Sequence, residues 1–455
     1  MSHPRSIAVT VVGAVLYRGA RSDSSLDLLL ERYPDLSRDD RSLATELAYG
    51  VLRNLGRLDN IIEIFSKRSL SSLDADVLNI LRVGLYQLEF LDRIPSYAAV
   101  NESVKMAGEF GVRSAGGFIN GVLRAYLRKK SEISYPDGER DPAGFIAAYH
   151  SLPLWLAKRF IVWFGIEKAI TCAGYLRQRP PLTLRVNSLK LDRDRFMERF
   201  REAAEEMHPG LFSPDAVIVG GGGSILKDQW FADGLFSIQD EASQLVTRLL
   251  GVSEGLSLLD LCAAPGGKAT HAAELTGDRG HVISMERSRD RSLLLKRNVD
   301  RVGLKSIRIV CADAGRIPIA PGTLFHSVLA DPPCSALGVL RRNPEIKWRL
   351  AETDIDNMVH TQAEILEEAA GYVAPGGALV YSVCTFNPDE GRKVTDAFLS
   401  RHPEYSLDHP GMYFPETAGK LLDGPYLLTS PDRIDVDDAR GPDGFFVARM
   451  MRRSG

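Results

Sequence analysis

Residues 256–270 read LSLLDLCAAPGGKAT. The first half is a short apolar run of the kind that forms a buried strand. Gly266 and Gly267 then let the backbone turn tightly into a helix, whose first N–H groups stay free for a ligand. The stretch contains no GxGxxG, and Lys268 is followed by Ala269, not by Ser or Thr. A dinucleotide fold fingerprint and an ATP-type phosphate loop are therefore both disfavoured.

Downstream of this unit the same rhythm repeats. Apolar runs HVISME, IRIVCA, FHSVLAD and ALVYSVC, beginning at residues 281, 307, 325 and 378, alternate with the helical patterns RDRSLLLKRNVDRVG and MVHTQAEILEEAAGYV. That alternation predicts an α/β domain over 236–455 with a mostly parallel sheet and a ligand crevice beyond the strands' carboxyl ends. Glu286 closes the second strand, 26 residues after Asp260, where an acid can accept hydrogen bonds from a ribose diol; a solvated strand-end glutamate is the plainer alternative. Asp313 follows the third strand, within reach of an adenine amino group. Three such strand ends around one glycine loop describe a nucleoside cofactor site.

Upstream, residues 1–130 read as helical. Leu78, Leu81, Leu85 and Leu88 recur at three- and four-residue intervals, as do Leu43, Leu47, Val51 and Leu55, and Phe118, Val122 and Tyr126, each set lying on one helix face. Pro95 and Ser96 mark a helix start. The polar strip 131–144, broken by Pro136, Gly138, Pro142 and Gly144, reads as a linker. Residues 145–235 combine a helix in LPLWLAKRFIVWFG, a strand in TLRVNS and a glycine turn at 220–223, which suggests a small mixed α+β subdomain.

A chain of 455 residues, 44% apolar, holds two or three domains. With 56 Lys and Arg against 59 Asp and Glu, the net charge of −3 excludes a general nucleic-acid coater, so any RNA site must be a local patch. The five cysteines, Cys172, Cys262, Cys311, Cys334 and Cys384, form no CxxC pair, which argues against a zinc cluster or a disulfide framework. No metal is expected. With no apolar stretch of about 18 residues, a cytoplasmic, reduced protein outside the membrane is the simplest expectation.

Two of those cysteines stand apart. Cys334 in LADPPCSALG and Cys384 in YSVCTFNPDE each follow a strand, and Asp331 lies in the first of these loops. The residue pattern leaves open which thiol reacts, and buried inert thiols or a redox pair are the alternatives. Cys172, Cys262 and Cys311 read as inert.

DLCAAPGGKAT, DPPCSALG and YSVCTFNPDEG together resemble the S-adenosylmethionine-dependent RNA cytosine-5 methyltransferases, in particular the bacterial Sun/RsmB type that modifies 16S ribosomal RNA. GLFSIQDEASQLV at 234–246, GVLRRNPEIKWR at 338–349 and DGFFVAR at 443–449 extend the resemblance. LRVGLYQLEFLDRIPSYAAVNESVKMA and GGFINGVLR resemble the NusB-like helical RNA-binding domain of this subfamily. The implied architecture is multidomain: an all-helical NusB-like domain, a small α+β subdomain and an α/β Rossmann-like methyltransferase domain. The implied cofactor is S-adenosyl-L-methionine. Its methionine part would lie along Cys262, Ala263, Ala264, Pro265, Gly266, Gly267 and Lys268, its ribose at Glu286 and its adenine near Asp313, with Asp331 bordering the same crevice.

Cytosine carbon 5 is a poor nucleophile, and a thiolate adding at carbon 6 turns the ring into an enamine able to attack an activated methyl group. By resemblance, Cys384 is that nucleophile, Cys334 assists release of the methylated product and Asp331 contacts ring nitrogen 3. The chain departs from the family's usual Ala at 332, where it has Pro, and usual Gly at 336, where it has Ala. Rival readings are an amino-group methyltransferase, suggested by the DPP triplet, and a non-catalytic RNA-binding assembly factor. The expected partner is small-subunit ribosomal RNA carrying an unpaired or flipped cytosine in a hairpin, with no obligate protein partner. Arg341, Arg342, Lys347, Trp348 and Arg349, with Arg185 and Asn187, are the candidate RNA contacts.

Overall fold

The computed structural model describes residues 3–202, 206–220, 229–251, 253–434 and 440–454. The expected glycine turn at 220–223 lies, after Gly220, outside the described residues. Two compact units divide the chain: Met1–Gln178 with Leu340–Leu350, and Arg179–Val339 with Ala351–Gly455.

The first unit is helical. Helices Pro4–Arg18, Arg38–Arg53, Ala75–Phe90, Ser96–Glu109 and Gly116–Lys129 enclose a core around Leu47, Val51, Leu81, Leu85, Leu123 and Tyr126. Of the face read from the sequence, Leu78, Leu81 and Leu85 are buried and Leu88 packs at its edge. Asp74 caps Ala75–Phe90 by accepting from the amides of Asp76 and Val77, which satisfies two of that helix's free N–H groups.

The expected boundary near 145 is not where the units part. Helices Pro142–Tyr149, Leu154–Phe164 and Ile166–Leu176 belong to this helical unit. The strip expected to be a linker packs too: the Tyr135 ring meets Tyr149 edge-on at 5.0 Å, and the Arg57 guanidinium lies 4.6 Å from the Tyr149 ring centre. Aromatic burial, invisible in a Pro- and Gly-rich composition, holds that strip in place.

The second unit contains two sheets. In the smaller, β1 (Leu182–Val186), β2 (Glu206–Pro209), β3 (Ala216–Gly220) and β4 (Phe236–Ile238) run in the order β2-β3-β1-β4, all antiparallel. Because β4 pairs with β1, Leu184 facing Ile238, this sheet extends past the expected boundary at 235. The larger sheet holds β5 (Ser257–Leu261), β6 (His281–Met285), β7 (Ile307–Val310), β8 (Phe325–Ala330) and β9 (Val373–Val383) as neighbouring parallel strands in the order β9-β8-β5-β6-β7. Beyond them, β10 (Tyr405–Leu407), β11 (Leu422–Asp423), β12 (Tyr426–Leu428) and β13 (Phe446–Arg452) add an antiparallel flank, with β13 on β9. The strand order reverses between β5 and β8, so the crevice expected for an open α/β sheet falls beyond those two ends.

Among the described residues, no helix is long and apolar enough to cross a membrane. Nor do three or more His, Cys, Asp or Glu side chains gather as a metal site there.

Candidate active site

Leu261 of β5 and Ala330 of β8 are opposite in register, so the chain leaves the sheet at adjacent points into the glycine loop and the DPPC loop. The glycine loop is held by Ala263 N–H donating to Met285 O at 2.8 Å and Gly266 N–H donating to Ala263 O at 2.8 Å. Gly266 has φ +103°, and a Cβ there would collide with the Leu295 side chain, so only glycine suits the position. Cys262 and Ala336 also take positive φ, 63° and 54°. Glycine at 336 would be unstrained in that conformation, whereas Ala is not.

Lys268, in the first turn of helix Gly267–Leu275, places Nζ 2.7 Å from Asp331 Oδ2. Burial alone would lower the lysine, but Asp331, and further off Cys384 and Asp260, hold it above its ordinary value. It stays a cation. Asp260 is 1% exposed with neither carboxyl oxygen partnered, and burial, reinforced by Asp331, pushes it up to about 8. A protonated carboxyl at neutral pH follows. Sequence reasoning used Asp260 only to count spacing; the signal missed was an acid at the end of an otherwise apolar central strand.

Glu286 follows β6. Its Oε1 accepts from Ser288 N–H at 2.9 Å, and its Oε2 has Arg291 at 3.4 Å but no hydrogen bond. That buried oxygen is available to a hydroxyl. Asp313 is more open: its Oδ1 accepts from Gly315 N–H at 2.9 Å, and its Oδ2 lies 3.7 Å from the Arg287 guanidinium.

The two loop cysteines meet. Sγ of Cys334 and Sγ of Cys384 are 3.2 Å apart, across 50 residues of sequence. The Cys384 sulfur, then burial, then the charge of Glu390 hold the Cys334 thiol well above its ordinary value. Cys334 therefore holds its proton, and either sulfur can donate across the contact. Cys262, pushed up to about 12 chiefly by burial, is an unreactive thiol. Cys172 is buried, and Cys311, just past the end of β7, is exposed.

Three motif segments converge on these thiols. Gly338 N–H donates to Cys384 O at 3.1 Å, and Gly444 N–H to Gly338 O at 2.8 Å. A Cβ on Gly338 would overlap the Gly444 carbonyl. The Phe445 ring lies 5.3 Å from Lys268 Nζ, which brings the DGFFVAR segment to the crevice.

Comparison with known proteins matches three successive segments of the chain. The family model described as 16S rRNA methyltransferase RsmB/F matches residues 247–451, the NusB family matches 2–128, and a Methyltr_RsmF/B-like, ferredoxin-like domain matches 152–225. The chain is 35% identical over 421 residues to "Probable ribosomal RNA small subunit methyltransferase B" of Bacillus subtilis, covering 92% of each chain. It is 32% identical over 452 residues to "Ribosomal RNA small subunit methyltransferase B" of Cronobacter sakazakii, covering 99% of this chain and 98% of that one. The chain belongs to the 16S rRNA methyltransferase RsmB/F family. One solved crystal structure shares the fold over 98% of both chains at TM-score 0.79 and 24% identity. NSun6 from Pyrococcus horikoshii, solved with SFG, shares it at TM-score 0.59 and 20% identity, over 67% of this chain and 99% of that one.

The helical unit thus carries the family's NusB-like domain, and the second unit its Rossmann-like methyltransferase domain. Members of this family are S-adenosylmethionine-dependent, and the residues of the crevice fit that cofactor. Glu286 Oε2 and both oxygens of the Asp260 carboxyl are buried and without a hydrogen bond.

Of the residues expected to touch RNA, Arg185, Asn187, Arg341 and Lys347 are buried, Trp348 is half-buried and Arg349 is exposed. Arg185 is 0% exposed and forks onto Glu274 from Nε and NH2 at 3.1 and 2.7 Å, with NH2 also donating to Thr270 and NH1 to Gly267 O. Asn187 is buried and donates to Gly234 O at 2.9 Å. Within the helical unit, buried Lys347 donates to Arg53 O at 2.9 Å, Trp348 Nε1 to Leu52 O at 2.8 Å, and Arg349 to Val15 O at 3.2 Å. These acceptors lie in the last turns of helices Arg38–Arg53 and Pro4–Arg18, where carbonyls lack helical partners and the helix dipole favours cations. The buried Arg341 guanidinium stacks 4.3 Å from the Tyr175 ring centre, and Arg342 is half-buried. The basic run was read as a phosphate patch because composition does not distinguish a cation aimed at phosphate from one aimed at a helix end.

Proposed function

We propose that this protein transfers a methyl group from S-adenosylmethionine to carbon 5 of one cytosine in 16S ribosomal RNA, in the cytoplasm, through a covalent adduct on Cys384. The observation that carries this reading is the 3.2 Å approach of Cys334 and Cys384 beside the half-buried Lys268–Asp331 pair. Two thiols at one crevice suit base chemistry that needs both a nucleophile and a proton donor. Amino-group transfer needs neither.

Cys384 is the attacking sulfur by the likeness of YSVCT to the family's motif, and Cys334, whose thiol is held above its ordinary value, is the proton donor. As the Cys384 sulfur adds to carbon 6, negative charge grows towards ring nitrogen 3, and the Lys268–Asp331 pair supplies a proton or hydrogen bond there. When bound, S-adenosylmethionine supplies a methyl group activated by its sulfonium. Glu286 and Asp313 hold its nucleoside and the Cys262–Lys268 loop its methionine part; the SFG in the NSun6 structure is an analogue of the same cofactor. A water or hydroxide takes the carbon 5 proton, the electron pair left behind re-forms the C5–C6 double bond as the bond to the Cys384 sulfur breaks, and the Cys334 S–H donates to that sulfur as it leaves. The target is a hairpin cytosine, unpaired or flipped from its stack.

The test incubates the full chain with radiolabelled S-adenosylmethionine and protein-free, unmodified small-subunit RNA, then maps the methylated base. Cys384→Ala is expected to abolish transfer, and Cys334→Ala to accumulate an RNA–protein adduct resistant to denaturation. Undiminished transfer by Cys384→Ala rejects the mechanism. Equal absence of adduct from both variants rejects the division of labour between the thiols.

A further inference from the structure

Strand pairing does not by itself bring the two sulfurs together. The β8–β9 register ends at Ala330 facing Tyr381, and Cys334 and Cys384 both lie beyond it on separate loops. What joins those loops is a carboxylate. Glu390 is 0% exposed; its Oε1 accepts from Ser335 N–H at 2.7 Å and Gln362 Nε2 at 3.0 Å, while its Oε2 accepts from the Ser335 hydroxyl and from Asn387 Nδ2 at 3.0 Å. Ser335 adjoins Cys334, Asn387 follows Cys384 by three residues, and Gln362 also donates to Pro333 O at 3.0 Å. Ser335 Oγ also lies 3.1 Å from Thr385 Oγ1, whose hydroxyl can donate to it, and Tyr381 OH donates to the Glu390 carbonyl at 2.6 Å.

We propose that Glu390 is a positioning residue for the reaction, its buried carboxylate tying the Cys334 loop to the Cys384 loop so that the two sulfurs stay in contact. The role of that contact rests on the function proposed above. Four neutral donors from three segments point at one group, and only a carboxylate accepts at every lone pair while donating nothing. A glutamine there would turn its NH2 towards the Ser335 hydroxyl and Asn387. Asn387 cannot flip freely to accept it, since its Oδ1 already accepts from Asp389 N–H at 3.0 Å. The buried negative charge has a second consequence, because it disfavours a thiolate on Cys334 and leaves that proton available to Cys384.

The test needs no RNA. Diamide takes two electrons and two protons from neighbouring thiols and leaves a disulfide, and the linked Cys334–Cys384 peptide is followed by mass spectrometry. In folded Glu390→Gln, crosslinking is expected to slow by about fivefold or more, and the pH profile of Cys334 alkylation to move to lower pH as the nearby negative charge is lost. Methyl transfer should lose about tenfold or more in kcat, with the KM for S-adenosylmethionine held within about twofold. Asn387→Ala, which removes one donor and keeps the charge, should slow crosslinking without moving the pH profile; it carries the test if Glu390→Gln does not fold. A folded Glu390→Gln chain with wild-type crosslinking and alkylation overturns the proposal, as does wild-type crosslinking in Asn387→Ala. A wild-type chain that transfers no methyl group counts against the proposed function alone, because the thiol measurements still decide the part of Glu390.

Discussion

Arg185 offers the sharpest test of the distinction between RNA contact and internal fastening. Its guanidinium, 0% exposed, pairs with Glu274, itself 3% exposed. Arg185→Ala strands that carboxylate in the interior and removes the donor to Gly267 O, at the start of the cofactor-loop helix. Breaking a buried pair costs about 3–5 kcal/mol, because one charge remains without compensation. An orphaned carbonyl adds a further contribution that overlaps with the first. The expected loss is about 4 kcal/mol, or a fall of roughly 8–16 °C in the unfolding temperature of the catalytic unit.

Burial already pushes Glu274 above its ordinary value, with Arg185 pulling it back, so without Arg185 its folded value rises further. A carboxyl that binds its proton more tightly folded than unfolded stabilises the fold as pH falls, with a limiting slope of about 1.4 kcal/mol per pH unit. The Arg185→Ala defect should therefore be larger at pH 8 than at pH 5.5. Thermal unfolding at several pH values measures this. Arg185→Met combined with Glu274→Met, which removes both charges, should recover most of the loss. RNA binding by the folded variant should keep its salt dependence, whereas losing a phosphate contact lowers the slope by about one unit. A loss below about 1 kcal/mol together with a reduced salt slope refutes this reasoning and restores Arg185 to the RNA surface.

Two further outcomes follow from buried groups. His271 is 1% exposed, donates to Asp215 Oδ2 at 3.1 Å and is lowered by burial to about 4. Its neutral form is favoured by the fold, so stability is intact above pH 6.5 and falls as pH drops through the window from 6.5 to 4, by roughly 3 kcal/mol in all; His271→Gln should flatten that limb of a pH–stability curve. Trp348→Phe removes the indole N–H donated to Leu52 O and should destabilise the helical unit by about 1–2 kcal/mol. RNA affinity should be unchanged when titrated at the same salt.

The helices of the first unit and the parallel strands of the second were legible in the sequence, because residues such as Leu81 and Leu85, or the run before Asp260, obey the local periodicities of 3.6 and 2 that burial imposes. The cofactor loop was legible for a related reason: the glycines at 266 and 267 report a backbone requirement, which is local. The ownership of residues 142–176 and 340–350 was not. Those segments join the helical unit through contacts such as Lys347 with Arg53 O, across 294 residues of sequence, and no pattern within either segment encodes its partner.

By itself, the sequence determined the chemistry at hand: two cysteines and an aspartate in loops that follow strands, and a glycine turn leading into the helix that carries a lysine. Only the tertiary structure decided which of them meet and in what protonation state. The reason is that a proton's preference for Cys334 and the charge held on Lys268 depend on burial and on neighbours brought in by the order of β5, β8 and β9. The same dependence turned Arg185, Lys347 and Trp348 inward, since the worth of a cation or an indole N–H is set by the acceptor it finds.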